Sequence, residues 1–127
     1  MTNEKLLDYL DHFKNNHNNT SANIGAIICE QNNFPSILEQ VKNDYILIEI
    51  NNLEYKKQLE EYLSMRDVYR NFVLFFTGEI LEKNIVAINK TLQNQTTNKN
   101  IKILFLSDTK NFDNLNLFNL TNSTCRI

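Results

Sequence analysis

Apolar positions along this chain follow two rhythms that alternate. Over residues 4 to 14, Leu6, Leu7, Leu10 and Phe13 recur at helical spacing, and the polar run over 15–21 then breaks the pattern. The segment 24–29, Ile-Gly-Ala-Ile-Ile-Cys, is a short apolar run suited to a buried strand. After a polar turn, Pro35 stands where a first helical turn tolerates it, and Ile37, Leu38 and Val41 would face a sheet. A second apolar strand is expected over 45–50, then a charged helix over about 53–69. Its inward stripe would be Leu59, Tyr62, Leu63 and Tyr69, while Lys56 with Glu60 and Lys57 with Glu61 form a solvated face. A third strand is read over 72–76, and Leu81, Ile85, Ile88 and Leu92 mark another helix. A fourth strand over 101–106, a short helix through Leu115, Phe118 and Leu120, and a fifth strand at 124–127 complete the series. Strands apolar on both faces, alternating with amphipathic helices, predict an α/β fold: three layers, with a mostly parallel sheet of about five strands and helices on both faces.

With 127 residues the chain suits one domain that buries its own core. Asn is abundant, with 22 residues, whereas Gly (2) and Pro (1) are scarce. That bias is read as base composition of the coding sequence, not as a function. The formal charge is -2 and the basic residues are scattered, so autonomous DNA binding, which needs clustered cations, is not expected. Cys29 and Cys125 lie far apart with no histidine beside them, and read as buried thiols of a cytoplasmic protein rather than metal or redox groups. The N-terminus lacks a signal-peptide core, and no run is long enough to span a membrane.

Three segments carry a family resemblance. They are Ala87-Ile88-Asn89-Lys90-Thr91-Leu92, the strand at 101–107 ending in Ser107, and Ser123-Thr124-Cys125. In that order they resemble the second half of an AAA+ ATPase core, most narrowly the delta-prime type of clamp-loader subunit of bacterial DNA polymerase III. The family segments read A-L-L-K-T-L-E-E, an apolar strand ending in a polar sensor residue, and S-R-C. Residues 59–74, with Leu63, Ser64 and Val73, resemble the helix ending L-S-x-K-P that leads into the family's metal-carboxylate strand, although the Pro is absent. The resemblance implies a P-loop NTPase-like topology in a single domain without the family's helical lid or collar. The positions that would perform nucleotide chemistry are altered. The turn after the first strand, Glu30-Gln31-Asn32-Asn33-Phe34-Pro35-Ser36, has no Gly to let backbone N–H groups converge on phosphate and no Lys to reach it. Where the family pattern V-x-I-I-D-E implies Asp and Glu, the chain has Thr77 and Gly78. The arginine finger of S-R-C falls on Thr124. Arg126 lies one residue past the motif, a shift that would point it to the opposite face of an extended strand, so it is not assigned the finger role.

The expectation is therefore a non-catalytic subunit with no cofactor, no metal and no catalytic residues, working through other clamp-loader subunits and the sliding clamp. Ser107, Asp108, Ser123, Thr124 and Arg126 are the expected partner contacts. Ser107 and Asp108 follow a strand, where ligand-binding residues of open parallel sheets sit, although a turn or helix cap accounts for them equally well. His12 and His17 read as solvated. An alternative resemblance is to thioredoxin-like proteins, through Phe72-Val73-Leu74-Phe75-Phe76-Thr77-Gly78-Glu79 and the family ending L-F-x-x-G-E. That family needs C-x-x-C and a cis-proline; this chain offers Cys29 alone and Asn71 at the proline position, so the reading would be a binding module without redox chemistry.

Overall fold

The structure, a computed structural model, describes residues 4–15, 23–50, 57–58, 60–61, 70–75, 86–87, 90, 101–114 and 117–127. The chain runs through helix α1 (Glu4–Asn15), strand β1 (Asn23–Ile28), a 3-10 turn (Gln31–Asn33), helix α2 (Phe34–Val41) and strand β2 (Ile46–Glu49). Then come β3 (Arg70–Phe75), β4 (Ile101–Ser107), a short helix α3 (Thr109–Asn114), a second 3-10 turn (Leu117–Leu120) and β5 (Ser123–Arg126). Residues 57–58, 60–61, 86–87 and 90 are also helical, within the two amphipathic segments read from the sequence. The inward stripes expected there, Leu59, Tyr62, Leu63 and Tyr69 and then Leu81, Ile85, Ile88 and Leu92, fall outside the described residues, as do Thr77 and Gly78. Among the described residues, no helix is long and apolar enough to cross a membrane.

The five strands form one sheet in the order β2-β3-β4-β1-β5, every pairing parallel. Parallel strands need crossovers that cover the sheet, which explains why β4 is buried at all seven positions and β1 at all but one. Side-chain alternation divides the core into two layers. On one face Ala26, Ile28, Ile48, Phe72, Leu74, Ile103 and Phe105 pack with Phe112 of α3 and Leu117. On the other, Ile27, Cys29, Val73, Leu104 and Leu106 pack with Leu6 and Phe13 of α1 and with Phe34, Ile37 and Val41 of α2. Burial of this many branched and aromatic side chains, each contributing roughly 1.5–3 kcal/mol, holds the layers together.

Helix α1 lies close to the sheet because Gly25 leaves room for it. A Cβ built on Gly25 would clash with the Tyr9 hydroxyl and meet Phe13 Cε2 at 2.9 Å. Tyr9 reaches past it to share a hydrogen bond with Ser123 Oγ, 2.8 Å away on β5. At the other end of the helix the buried Lys102 of β4 donates through Nζ to the carbonyl of Lys14, filling a vacancy at the helix C-terminus.

Strand boundaries differ from the sequence reading by one or two residues, as expected where the apolar run extends past the hydrogen-bonded ladder. Three differences matter more. Leu7 does not join the buried face of α1: it is 44% exposed, while Leu6 and Phe13 are buried. The short helix after β4 begins at Thr109, earlier than the Leu115, Phe118 and Leu120 pattern implied, and Leu117–Leu120 is a separate 3-10 turn. Arg126 does not point opposite the finger position. Thr124 and Arg126 are two residues apart in β5, both exposed, and Cys125 between them is buried, so the two share a face.

Candidate functional site

The chain leaves β1 along the face carrying α2 and crosses to the far edge at β2; it leaves β4 along the face carrying α3 and passes β1 to reach β5. Two adjacent strands whose connections depart in opposite directions leave a crevice beyond their carboxyl ends, the place where open α/β sheets bind ligands. In this molecule the crevice lies between the turn after Ile28 and the start of α3.

Its walls are joined. The Cys29 N–H donates to the Ser107 carbonyl at 3.0 Å, extending the β1–β4 pairing by one step. Gln31 Nε2 donates across the crevice to Asp108 Oδ2 at 2.8 Å. The other carboxylate oxygen, Oδ1, accepts the N–H of Asn111 at 2.8 Å, so Asp108 is the N-cap of α3. Ser107 is fully buried and donates its hydroxyl to the Asp108 carbonyl at 2.9 Å, which also accepts the N–H of Phe112 at 3.0 Å. Asn111 is buried, and its Nδ2 has no hydrogen-bond partner among the described residues. The turn itself is a tight 3-10 segment in which the Asn33 N–H returns to the Glu30 carbonyl at 2.9 Å. Glu30 is exposed beside it.

Arg126 reaches the same end of the sheet from β5. Its guanidinium lies over the Phe112 ring, 5.5 Å from the centroid, and 3.9 Å from the Asp113 carboxylate. Both members of that ion pair are more than half exposed, so it is weak. The Ile127 N–H donates to the Ile28 carbonyl at 2.9 Å, which holds the strand end beside β1.

Of the expected contact residues, Asp108 and Arg126 share the carboxyl end, with Thr124 exposed on the face of Arg126. Ser123 sits at the opposite end of β5, opposite Gly25 and bonded to Tyr9. Ser107 is buried structural polar matter at the base of the crevice. Sequence reasoning missed the Gln31–Asp108 bridge, which depends on strand order. The Asp108-to-Asn111 cap left a signal, an Asp directly before a short polar segment bearing Phe112.

The thiols are buried and free, as the sequence suggested. Burial first, then Cys125, Asp108 and Glu30, pushes the Cys29 thiol up to about 11. Burial also raises that of Cys125, with Lys5 opposing it. A thiol held protonated at neutral pH is a poor nucleophile. Among the described residues no group of three His, Cys, Asp or Glu side chains could hold a metal ion. His12 is exposed, with Nδ1 2.8 Å from the Asp8 carbonyl, and His17 lies outside the described residues. The crevice thus offers carboxylates and amides, and its carboxylate charge would repel an anion. No family model matches the chain, and no curated protein matches it.

Proposed function

We propose that this chain is a non-catalytic, AAA+-like subunit of the clamp-loader type, working in the cytoplasm by protein–protein contact with clamp-loader ATPases and the sliding clamp. The observation that carries the reading is the state of the crevice at the β1–β4 switch point. Where a nucleotide hydrolase needs a glycine-rich cradle and a lysine, this chain places a tight 3-10 turn, the exposed Glu30, and a Gln31–Asp108 bond that spans the gap. A triphosphate would have to break that bond and approach two carboxylates. The all-parallel five-stranded sheet supports the P-loop NTPase-like topology implied by the resemblance, with β1 between β4 and β5. Contact is assigned to the part-buried Asp108 and the exposed Thr124 and Arg126 at the carboxyl end, with Ser123 further along the β5 edge; the buried Ser107 holds Asp108 in place.

The thioredoxin-like alternative gains nothing from Cys29, whose thiol is buried and held protonated. Size-exclusion chromatography of the chain mixed with the clamp-loader ATPases and sliding clamp of its own source tests the proposal. Co-elution is expected, and Arg126→Glu with Thr124→Glu should abolish it. Independent elution of every component overturns the replication role. Calorimetric titration with ATP and magnesium should give no binding in the micromolar range, and a micromolar isotherm would overturn the reading of the crevice.

A further inference from the structure

The sheet ends on one side at β5, which pairs with β1 alone. Which of its main-chain groups face outward follows from the ladder. The Cys29 N–H bonds to β4, so the odd-numbered residues of β1 turn their main-chain groups that way and the even-numbered ones turn toward β5. Ile28 stands in register with Arg126 and accepts the N–H of Ile127 at 2.9 Å, and Ala26 stands in register with Thr124. In a parallel ladder the residue opposite such an acceptor points its own N–H and C=O away, so Thr124 and Arg126 present theirs at the open edge. Among the described residues neither has a further main-chain partner. The side chains leave this edge uncovered. Arg126, the charge that could screen it, is drawn over Phe112 and toward Asp113 on α3, and Ser123 is tied to Tyr9 on α1. Ser123, Thr124 and Arg126 are exposed, and the apolar Ile127 just past them is 45% exposed. At the other edge, β2 has no exposed residue.

We propose that β5 pairs antiparallel with β5 of a second copy of this chain, joining the two sheets into one. A row of outward N–H and C=O groups is satisfied only by an extended backbone, and this sequence fits its own copy in one register. With the two-fold axis at Cys125, Thr124 faces Arg126 of the copy and Arg126 faces Thr124 of the copy. Both are hydrogen-bonded pairs, and together they use every outward main-chain group of these residues. Ile127 then lies opposite Ser123 of the copy and is covered there. An axis at Arg126 would set like charges directly opposite each other. An axis at Thr124 would pair Arg126 with Asn122, whose N–H is already given to Ile24. Thr124 and Arg126 also belong to the contact surface proposed above, so a clamp-loader subunit would compete with the copy; the pairing itself does not depend on that reading.

The test uses the full chain alone. Sedimentation equilibrium from about 10 µM to about 1 mM should show a mass that rises from the monomer to twice that value and no further. Thr124→Glu sets a carboxylate opposite Arg126 on both sides of the axis and should tighten association about threefold to tenfold, whereas Thr124→Lys sets like charges there and should weaken it by about the same factor. Thr124→Pro deletes an outward N–H while leaving the pairing with β1 in place, and should weaken association about tenfold with the circular dichroism of the monomer unchanged. Should the proline disturb the fold, the Glu and Lys variants, which change only an exposed side chain, still decide. A monomer mass at every concentration, a mass beyond the dimer, or equal affinities for the Glu and Lys variants would each overturn the proposal. Failure of the chain to co-elute with clamp-loader components bears only on the earlier reading.

Discussion

Removing the Asp108 carboxylate should separate its two structural roles in a measurable order. Asp108→Ala deletes the N-cap of α3, a loss of about 1 kcal/mol in typical helices. It also strips Gln31 of a half-buried acceptor at 2.8 Å, a loss of about 0.5–1.5 kcal/mol. The sum is about 1.5–2.5 kcal/mol, which for a urea slope of roughly 1–3 kcal/mol per molar lowers the unfolding midpoint by about 1 M. Asp108→Asn is milder, because Asn caps a helix almost as well and Gln31 can turn its amide to accept from the new NH₂ group; about 0.5 kcal/mol is expected. Equilibrium urea unfolding followed by circular dichroism gives these values directly. A double-mutant cycle with Gln31→Ala should return a coupling of about 0.5–1 kcal/mol for the bridge alone. Equal losses for Ala and Asn at position 108, together with a coupling near zero, would refute the description of the crevice as a closed, hydrogen-bonded structure.

Gly25→Ala should destabilise by about 1–3 kcal/mol in thermal or urea unfolding, since Tyr9 and Phe13 must both retreat and the Tyr9–Ser123 bond is strained. Ser123→Ala should cost no more than about 1 kcal/mol, so a larger loss than at Gly25 would mean that the hydrogen bond, not the close approach, seats α1. Phe105→Ala, at the centre of β4 and fully buried, should cost about 3–5 kcal/mol by the same assay. Stability should also fall in alkali. Cys29 is raised from 9.0 to about 11 and Tyr45 from 10.0 to about 12, chiefly by burial, so the native state holds these protons more tightly than the unfolded chain. Their contribution is complete below pH 9 and is lost as pH rises through 11 to 12; Cys29→Ala should flatten the pH 9–11 part of the urea-midpoint profile, and an unchanged slope would count against burial of that thiol.

The pattern of apolar runs located β1 to β4 because parallel strands covered on both faces are apolar at consecutive positions, as at Ile103-Leu104-Phe105-Leu106, whereas the edge strand β5, Ser-Thr-Cys-Arg, carries no such run. Order was not legible, since nothing local states that β1 lies between β4 and β5; that follows from which edges and faces pack best once the helices are in place. Two side chains show the same limit. Lys102 counted among the scattered bases of the sequence, yet it is 5% exposed, its stem within the sheet face under α1 and its amine on the Lys14 carbonyl. Leu7 counted with the apolar stripe, yet the arc that α1 turns toward the sheet is narrow enough to leave it in water. Helix α3 went unread because Thr-Lys-Asn-Phe-Asp-Asn shows no full apolar period in six residues; its start is fixed by the Asp108 cap and its inward face by Phe112.

The geometry of the crevice shows how the carboxyl ends of such a sheet can satisfy their polar groups internally. A glycine-rich cradle leaves backbone donors at the carboxyl end of β1 that only a ligand satisfies. In this chain the 3-10 turn uses the Asn33 N–H internally, and the Gln31 amide finds its acceptor on Asp108. Asp108 in turn fixes the first turn of α3, and α3 places Phe112 beneath the Arg126 guanidinium. The same contacts that close the gap therefore hold the outer surface of β5 and α3 in one conformation. A rigid, preorganised surface loses less conformational entropy on docking than a mobile one, and under the proposed protein-contact role that is the physical advantage of spending the switch point on internal hydrogen bonds.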